Sequence, residues 1–357
     1  MDFRMNPGQL RIMVTGLHRG ENPQPGAGIV RSIRRALPDA FIVALVYDAL
    51  ESGIYIEGGP DAVHAMVYPT SGADAYLDRL DAILHQSPAD LFIPTLDAEI
   101  ELLAHLPGEL EARGLRFVLP DKATLQRRSK QHLPELAEAC GVPVPRTIAV
   151  FDLAGARQAA SELAFPLFVK GQYYDATKVE NELQLAGAVS RLLAEWGAPA
   201  ILQQRVHGPE FDVLGLGDGQ GGTIGMCAIR KTALSDKGKG LGGMTVSDKR
   251  LLQICERLIG ELKWCGPFEA EFMLDESTGA YCLIEINPRF PAWIDFPSMC
   301  GANFAAALVD RLATGAWPEP LPVCPAGHFY LRHQIEVHGR VDQLALLTTG
   351  TGFGQGQ

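Results

Sequence analysis

Apolar residues fall into two alternating rhythms over the first hundred positions. "LRIMVTG" (10–16), "AFIVALVYD" (40–48) and "ADLFIPT" (89–95) are short, nearly continuous apolar runs bounded by turn formers, and they predict strands. Between and after them, "IVRSIRRAL" (29–37), "AYLDRLDAILHQS" (75–87) and "DAEIELLAHL" (97–106) place apolar residues three and four apart, the spacing of one helix face. Strand alternating with helix predicts a doubly wound, mostly parallel sheet. The loop after the first strand, "GLHRGENPQPGAG", is not a G-x-G-x-x-G turn, so a nicotinamide cofactor is not expected there.

The texture changes near Pro120. "SKQHLPELAEACGVPVPRT" (129–147) reads as a helix stopped by Gly141 and two prolines. "FPLFVKG" and "PAILQQRV" read as strands around the helical "ENELQLAGAVSRLLAEW". Strict alternation then appears twice. In "PFEAEFML" (267–274) Glu269, Glu271 and Met273 share one face; in "YCLIEIN" (281–287) Glu285 and Asn287 oppose Cys282, Ile284 and Ile286. "DESTG" between them is a hairpin turn. A hairpin brings carboxylate and amide oxygens together on one face, a donor set suited to Mg²⁺ or Mn²⁺ and poorly suited to zinc. The same pattern taken alone also fits the wet face of an antiparallel sheet.

Composition narrows the class. At 47% hydrophobic and 20% charged residues, the chain is expected to be globular, with two or three lobes in its 357 residues. No apolar run approaches a membrane span, and the N-terminus lacks a signal-peptide pattern. Seven scattered cysteines without C-x-x-C spacing suit reduced thiols and a cytoplasmic location. A net charge of −11 argues against nucleic acid, though not against nucleotides, which need only local cations. No membrane partner is expected.

The order "LFVKG", "GPEFDV", "EAEF", "IEINPRF" resembles the ATP-grasp superfamily, in particular the branch of biotin carboxylase and the carbamoyl-phosphate synthetase large subunit. The resemblance runs from the first strand to about residue 335. It implies an α/β N-terminal lobe with a doubly wound parallel sheet (1–119), followed by a two-part ATP-grasp fold with antiparallel sheets (120–335) and a tail (336–357). The smaller, lid-bearing part would be about 146–204 and the metal-bearing part about 205–335. By the same resemblance Glu271, Glu285 and Asn287 would hold Mg²⁺ or Mn²⁺, as two ions. Arg289 would face the reacting phosphoryl or acyl group, and Lys231 would approach the phosphates. Lys130 and Lys170 would meet the ATP phosphates, Gln203, Gln204 and Val206 the adenine edge, and Glu210 the ribose. The lid departs from the pattern: "GQYYDATKVEN" (171–181) has a single glycine, so Tyr174, Asp175 and Lys178 are side-chain candidates there, or a plain surface loop. Arg332, in "FYLRHQIEV", is a further substrate-binding candidate, and the tail "TTGTGFGQGQ" is expected to be mobile.

The activity implied is an ATP- and Mg²⁺-dependent, ADP-forming ligase that activates a carboxylate as an acylphosphate and couples it to an amine. Its partners would be small-molecule or peptide acids and amines, and dimerisation is common in such proteins. Bicarbonate activation and a degenerate nucleotide- or peptide-binding module remain the other readings. Selectivity would lie in the loop Gly16 to Gly28 and near Trp293 and Phe296, both equally suited to core packing.

Overall fold

The computed structural model describes residues 10–18, 20, 23–171, 176–234, 240–333 and 335–354. The chain forms two compact units: one comprises Met1–Gln126, Asp212–Ala270 and Ile286–Gln357, the other Arg127–Phe211 and Glu271–Glu285. The boundary falls inside three strands, so each of those strands carries side chains belonging to both units.

In the larger unit, β1 (Arg11–Thr15), β2 (Phe41–Val46), β3 (Ala62–Ala65) and β4 (Leu91–Ile93) form a parallel sheet in the order β3-β2-β1-β4. Alternation along these strands feeds two cores. Ile12, Val14, Ile42 and Ala44 pack with Ile29, Val30 and Ile33 of the helix Gly26–Ala36. Met13, Val43 and Leu45 pack with Tyr76, Leu80 and Ile83 of the helix Ala73–Gln86. Both faces are therefore covered, as the predicted double winding requires. The helix Gly26–Ala36 also packs on the helices Asp295–Met299 and Phe304–Thr314. There Arg31 and Arg35 both reach the buried Asp295, at 2.8 and 3.1 Å.

In the smaller unit, β5 (Thr147–Val150), β6 (Leu167–Lys170), β7 (Ala176–Val179) and β8 (Ala200–Gln204) form an antiparallel sheet in the order β5-β8-β6-β7. One face, with Val150, Leu167, Val169, Val179 and Leu202, closes on the helices Leu153–Leu163 and Glu182–Trp196. The helices are started by side-chain caps: Asp152 accepts from Gly155 N–H and Asn181 from Gln184 N–H. The opposite face carries Phe168, Lys170, Lys178 and Gln203, because the register pairs Phe168 with both Lys178 and Gln203.

A third sheet has the order β13-β12-β9-β10-β11-β14, built from β9 (Glu210–Asp218), β10 (Thr223–Leu234), β11 (Gly240–Thr245), β12 (Cys265–Leu274), β13 (Tyr281–Asn287) and β14 (Phe329–Leu331). Within the tail expected to be mobile, the described residues up to Gly354 fold instead. The helix Val341–Thr348 is followed by β15 (Phe353–Gly354), which pairs antiparallel with β3 and buries Phe353. A free edge on β3 and an apolar Phe353 outweigh the glycine-rich composition that suggested mobility. β3, β5 and the helix Leu153–Leu163 were not foreseen. Among the described residues no helix is long and apolar enough to cross a membrane.

Two glycines give opposite expectations. A methyl group at Gly26 would sit 2.1 Å from the Thr15 carbonyl oxygen and 2.5 Å from that of Gly16, so the helix could not approach β1. Gly26→Ala is expected to cost at least about 1–3 kcal/mol. A methyl group at Gly187, inside the helix Glu182–Trp196, meets nothing within 4 Å. Gly187→Ala should stabilise by roughly 0.5–1 kcal/mol. Urea unfolding midpoints of the two variants against the parent check both signs.

Candidate active site

Each unit gathers its own set of chemical side chains. In the smaller unit the centre is Lys170, at the end of β6 on the face opposite the two helices. Burial lowers its pKa from the ordinary lysine range; neighbouring Lys130 adds to that, while Glu285, Glu271 and Glu210 oppose it. Lys130 Nζ lies 3.5 Å from the Gly171 carbonyl oxygen, at the edge of hydrogen-bond range. Two ammonium groups and three carboxylates thus share one neighbourhood. Glu285 and Asn287 lie on one face of β13, as alternation required.

The expected nucleotide hinge follows directly in β8. Gln203 is buried and donates through Nε2 to Thr147 Oγ1 at 3.3 Å, while Gln204 is exposed and gives its backbone N–H to Arg146 O at 2.8 Å. Val206 and Glu210 are half-buried. Lys178 stands on the same sheet face as Lys170, but its ammonium is held by Glu180 at 2.6 Å and its side chain is 40% exposed. Tyr174 and Asp175 lie outside the described residues.

In the larger unit, Lys231 pairs with Asp212 at 3.1 Å, both side chains nearly stripped of water. The β10–β11 register slips immediately after Lys231, and such a bulge re-aims the neighbouring side chains. Glu269, 6% exposed, collects three donors: Asn287 Nδ2 at 3.1 Å, Trp293 Nε1 at 3.1 Å and Arg289 Nη1 at 3.5 Å. Arg289 Nε also donates to Asp97 at 3.2 Å. Asp97 opens the helix Asp97–Leu103, whose Glu99 is fully buried. Glu99 accepts from Thr15 Oγ1, Tyr47 Oη, Tyr76 Oη and Thr95 N–H at 2.6–3.2 Å, which fixes the loop that presents Asp97. Burial raises the Glu99 pKa against those four donors.

Asp212 and Glu269 bring carboxylate oxygens within 4.8 Å of each other, yet each already has a cation beside it. They read as an ion-pair network. Arg332 is different. Its guanidinium lies 5.8 Å from the centre of the Tyr330 ring and has no hydrogen bond or ion pair among the described residues. Burial lowers its pKa, partly offset by Tyr330, Glu269 and Asp212. Phe296 is 5% exposed, with its ring 5.1 Å from Tyr330, and Trp293 is 6% exposed; both serve the core.

Sequence reasoning noted Glu269 only as a strand neighbour and passed over Asp212 and Asp97. Asp212 shares a face of β9 with Glu210, so period-two spacing could have found it. Asp97 meets Arg289 across 192 residues, and no local pattern signals that pairing.

Breaking the Lys231–Asp212 pair should be costly because the remaining charge stays buried. Lys231→Met is expected to lose about 3–5 kcal/mol, and adding Asp212→Leu should restore much of it. Thermal melts of the single and double variants decide this.

No protein-family model matches the chain. It is 25% identical over 268 residues to the carbamoyl phosphate synthase large chain of Thermotoga petrophila, covering 69% of this chain and 24% of that one. It is also 25% identical over 182 residues to the D-alanine–D-alanine ligase of Pseudomonas putida, covering 48% of this chain and 56% of that one. The chain therefore spans about a quarter and about half of these relatives. Biotin carboxylase from Campylobacter jejuni shares the fold with a TM-score of 0.65 at 18% identity, over 88% of this chain and 74% of that one. These relatives in sequence and this structural neighbour are ATP-grasp proteins, the superfamily that the ordered strand motifs resemble.

Proposed function

We propose that the chain is an ATP- and Mg²⁺-dependent ligase that activates a carboxylate as an acylphosphate and joins it to an amine, releasing ADP and phosphate. The observation that carries this reading is the neighbourhood of the half-buried Lys170, whose charge interacts with a second ammonium group, Lys130, and with the carboxylates of Glu285, Glu271 and Glu210. Lysines in such a place suit phosphate oxygens, and carboxylates suit a divalent cation that accompanies them. The D-alanine–D-alanine ligase relative is a ligase by name, and the biotin carboxylase neighbour was solved as a β-γ-ATP complex.

Glu271, Glu285 and Asn287 offer only hard oxygens and so fit magnesium. Bound there, magnesium would neutralise phosphate charge. Lys130 and Lys170 would hold the triphosphate, Gln203, Gln204 and Val206 the adenine edge, and Glu210 the ribose. The substrate carboxylate would attack the γ-phosphorus, ADP would leave, and the amine would displace phosphate from the acyl carbon. Arg289 and Arg332 would bind the anionic groups of substrate and acylphosphate. With Lys231 and Asp212 paired, Lys231 would act at the phosphates only by leaving that partner. The functional domains would be 1–119, 120–335 (about 146–204 and 205–335) and 336–357, with cytoplasmic small molecules or peptides as substrates and a homodimer as the assembly.

Phosphate release from ATP and Mg²⁺ tests the reading against pools of amino acids, short peptides, small acids and bicarbonate. Release that requires both an acid and an amine, and that is lost in Glu285→Gln, is the expected result. Release with bicarbonate and no amine would favour a carboxylase, and tight ATP binding with no release would favour a binding module. The lowered Lys170 pKa adds a pH signature. As pH rises through it, the free protein loses a proton that the phosphates need. ADP affinity should therefore fall at lower pH than an ordinary lysine would dictate, and Lys170→Arg should abolish that alkaline decline. Calorimetry across pH checks it.

A further inference from the structure

Three donors from one short segment, Asn287, Arg289 and Trp293, converge on the single carboxylate of Glu269. Glu269, Asn287 and Trp293 are each at most 7% exposed. A buried carboxylate costs several kcal/mol unless donors surround it, which accounts for the cluster's existence. It does not account for what the cluster does to Asn287.

A carboxamide has one end that accepts and one end that donates, and only the oxygen can ligate a hard cation. An ionised carboxylate accepts only. The amide edge next to Glu269 must therefore be its Nδ2, and Oδ1 is turned to the other side. That orientation follows from hydrogen-bond chemistry and needs no view of the hydrogens. Without Glu269 the amide would be free to rotate, and half of its orientations would aim an NH₂ group at the cation.

We infer that Glu269 is a positioning residue for the divalent cation: it fixes Asn287 with its oxygen outward and, by the same carboxylate, anchors Arg289 beside it. Resting on the metal-ligand reading of Asn287, the inference adds a residue to that site and a reason for it. Outer partners of metal ligands commonly set affinity by roughly 10–100-fold. Trp293 gives the arrangement its own spectroscopic reporter, because its indole N–H is bonded to the other oxygen of Glu269.

The test is a double-mutant cycle read by manganese binding with ADP, using electron paramagnetic resonance on the full chain. Asn287→Asp replaces an amide that must be oriented by a carboxylate that need not be, since either oxygen can ligate. Glu269→Gln should weaken manganese binding roughly 10–100-fold in the parent. In the Asn287→Asp background the same change should weaken it by no more than about twofold, or strengthen it by removing a like charge. The Trp293 indole N–H resonance should shift in Glu269→Gln with or without metal. Glu269→Asp, which keeps the charge and withdraws it by one methylene, serves if Glu269→Gln does not fold, and should fall between parent and Gln. Equal losses in both backgrounds would make Glu269 merely structural, and an unchanged affinity in Glu269→Gln would also overturn the inference. A parent protein that binds no manganese with ADP would overturn the metal-site reading itself.

Discussion

A carboxylate removed from water must be ringed by donors, and the larger unit is organised around that requirement. Glu99 lies at the C-terminal ends of the parallel strands, fully buried, with two tyrosines, a threonine hydroxyl and a backbone N–H upon it. Glu51 accepts from Leu17 and Tyr47 N–H, both at 2.7 Å, and so ties the loop after β1 to the end of β2. Burial pushes its pKa up to about 7, against those backbone donors. Asp295 joins two arginines of the helix Gly26–Ala36, and Glu269 joins three groups from the end of β13. Such bonds stabilise modestly in net terms. Their larger effect is specificity, because each buried carboxylate accepts only one arrangement of its neighbours.

Arg289 shows what this organisation supplies to chemistry. Held between Asp97 and Glu269, its guanidinium is fixed both by the segment after β4 and by β12, the strand that carries Glu269. An arginine so braced offers a rigid fork to an anionic group and loses little side-chain entropy in doing so. The smaller unit contributes a different physics. Lys170 is partly dehydrated at a strand end, among carboxylates and one other lysine, and its charge is balanced without being consumed by a single partner. Positioning and charge, rather than a proton relay, are what both sets would provide in the proposed phosphoryl and acyl transfer.

Much of the architecture was written in periodicity. β1, β2 and β4 and the helices around them follow directly from apolar spacing, and alternation in β12 and β13 separated a core face from a polar one. The shared face of Glu285 and Asn287 was legible for the same reason, since period two leaves little freedom for them. What alternation cannot show is which distant group completes a local one. Asp97 and Arg289 meet across 192 residues, and Glu269 and Asn287 across 18, through pairing that is settled only when the sheets assemble. Lys178 illustrates the converse: register puts it on the expected face, yet Glu180, two residues away, takes its ammonium. The C-terminal segment misled because composition speaks to chain entropy and not to an available sheet edge.

The most direct measurement follows oxygen atoms. Amino acids carrying oxygen-18 in their carboxylates would be incubated with the protein, ATP and magnesium, and the released orthophosphate examined by mass spectrometry. Activation as an acylphosphate requires one carboxylate oxygen to depart with the phosphoryl group, so each phosphate formed in step with amide product should contain a single oxygen-18 atom. Amide formation accompanied by unlabelled phosphate would contradict acylphosphate activation and with it the proposed reaction.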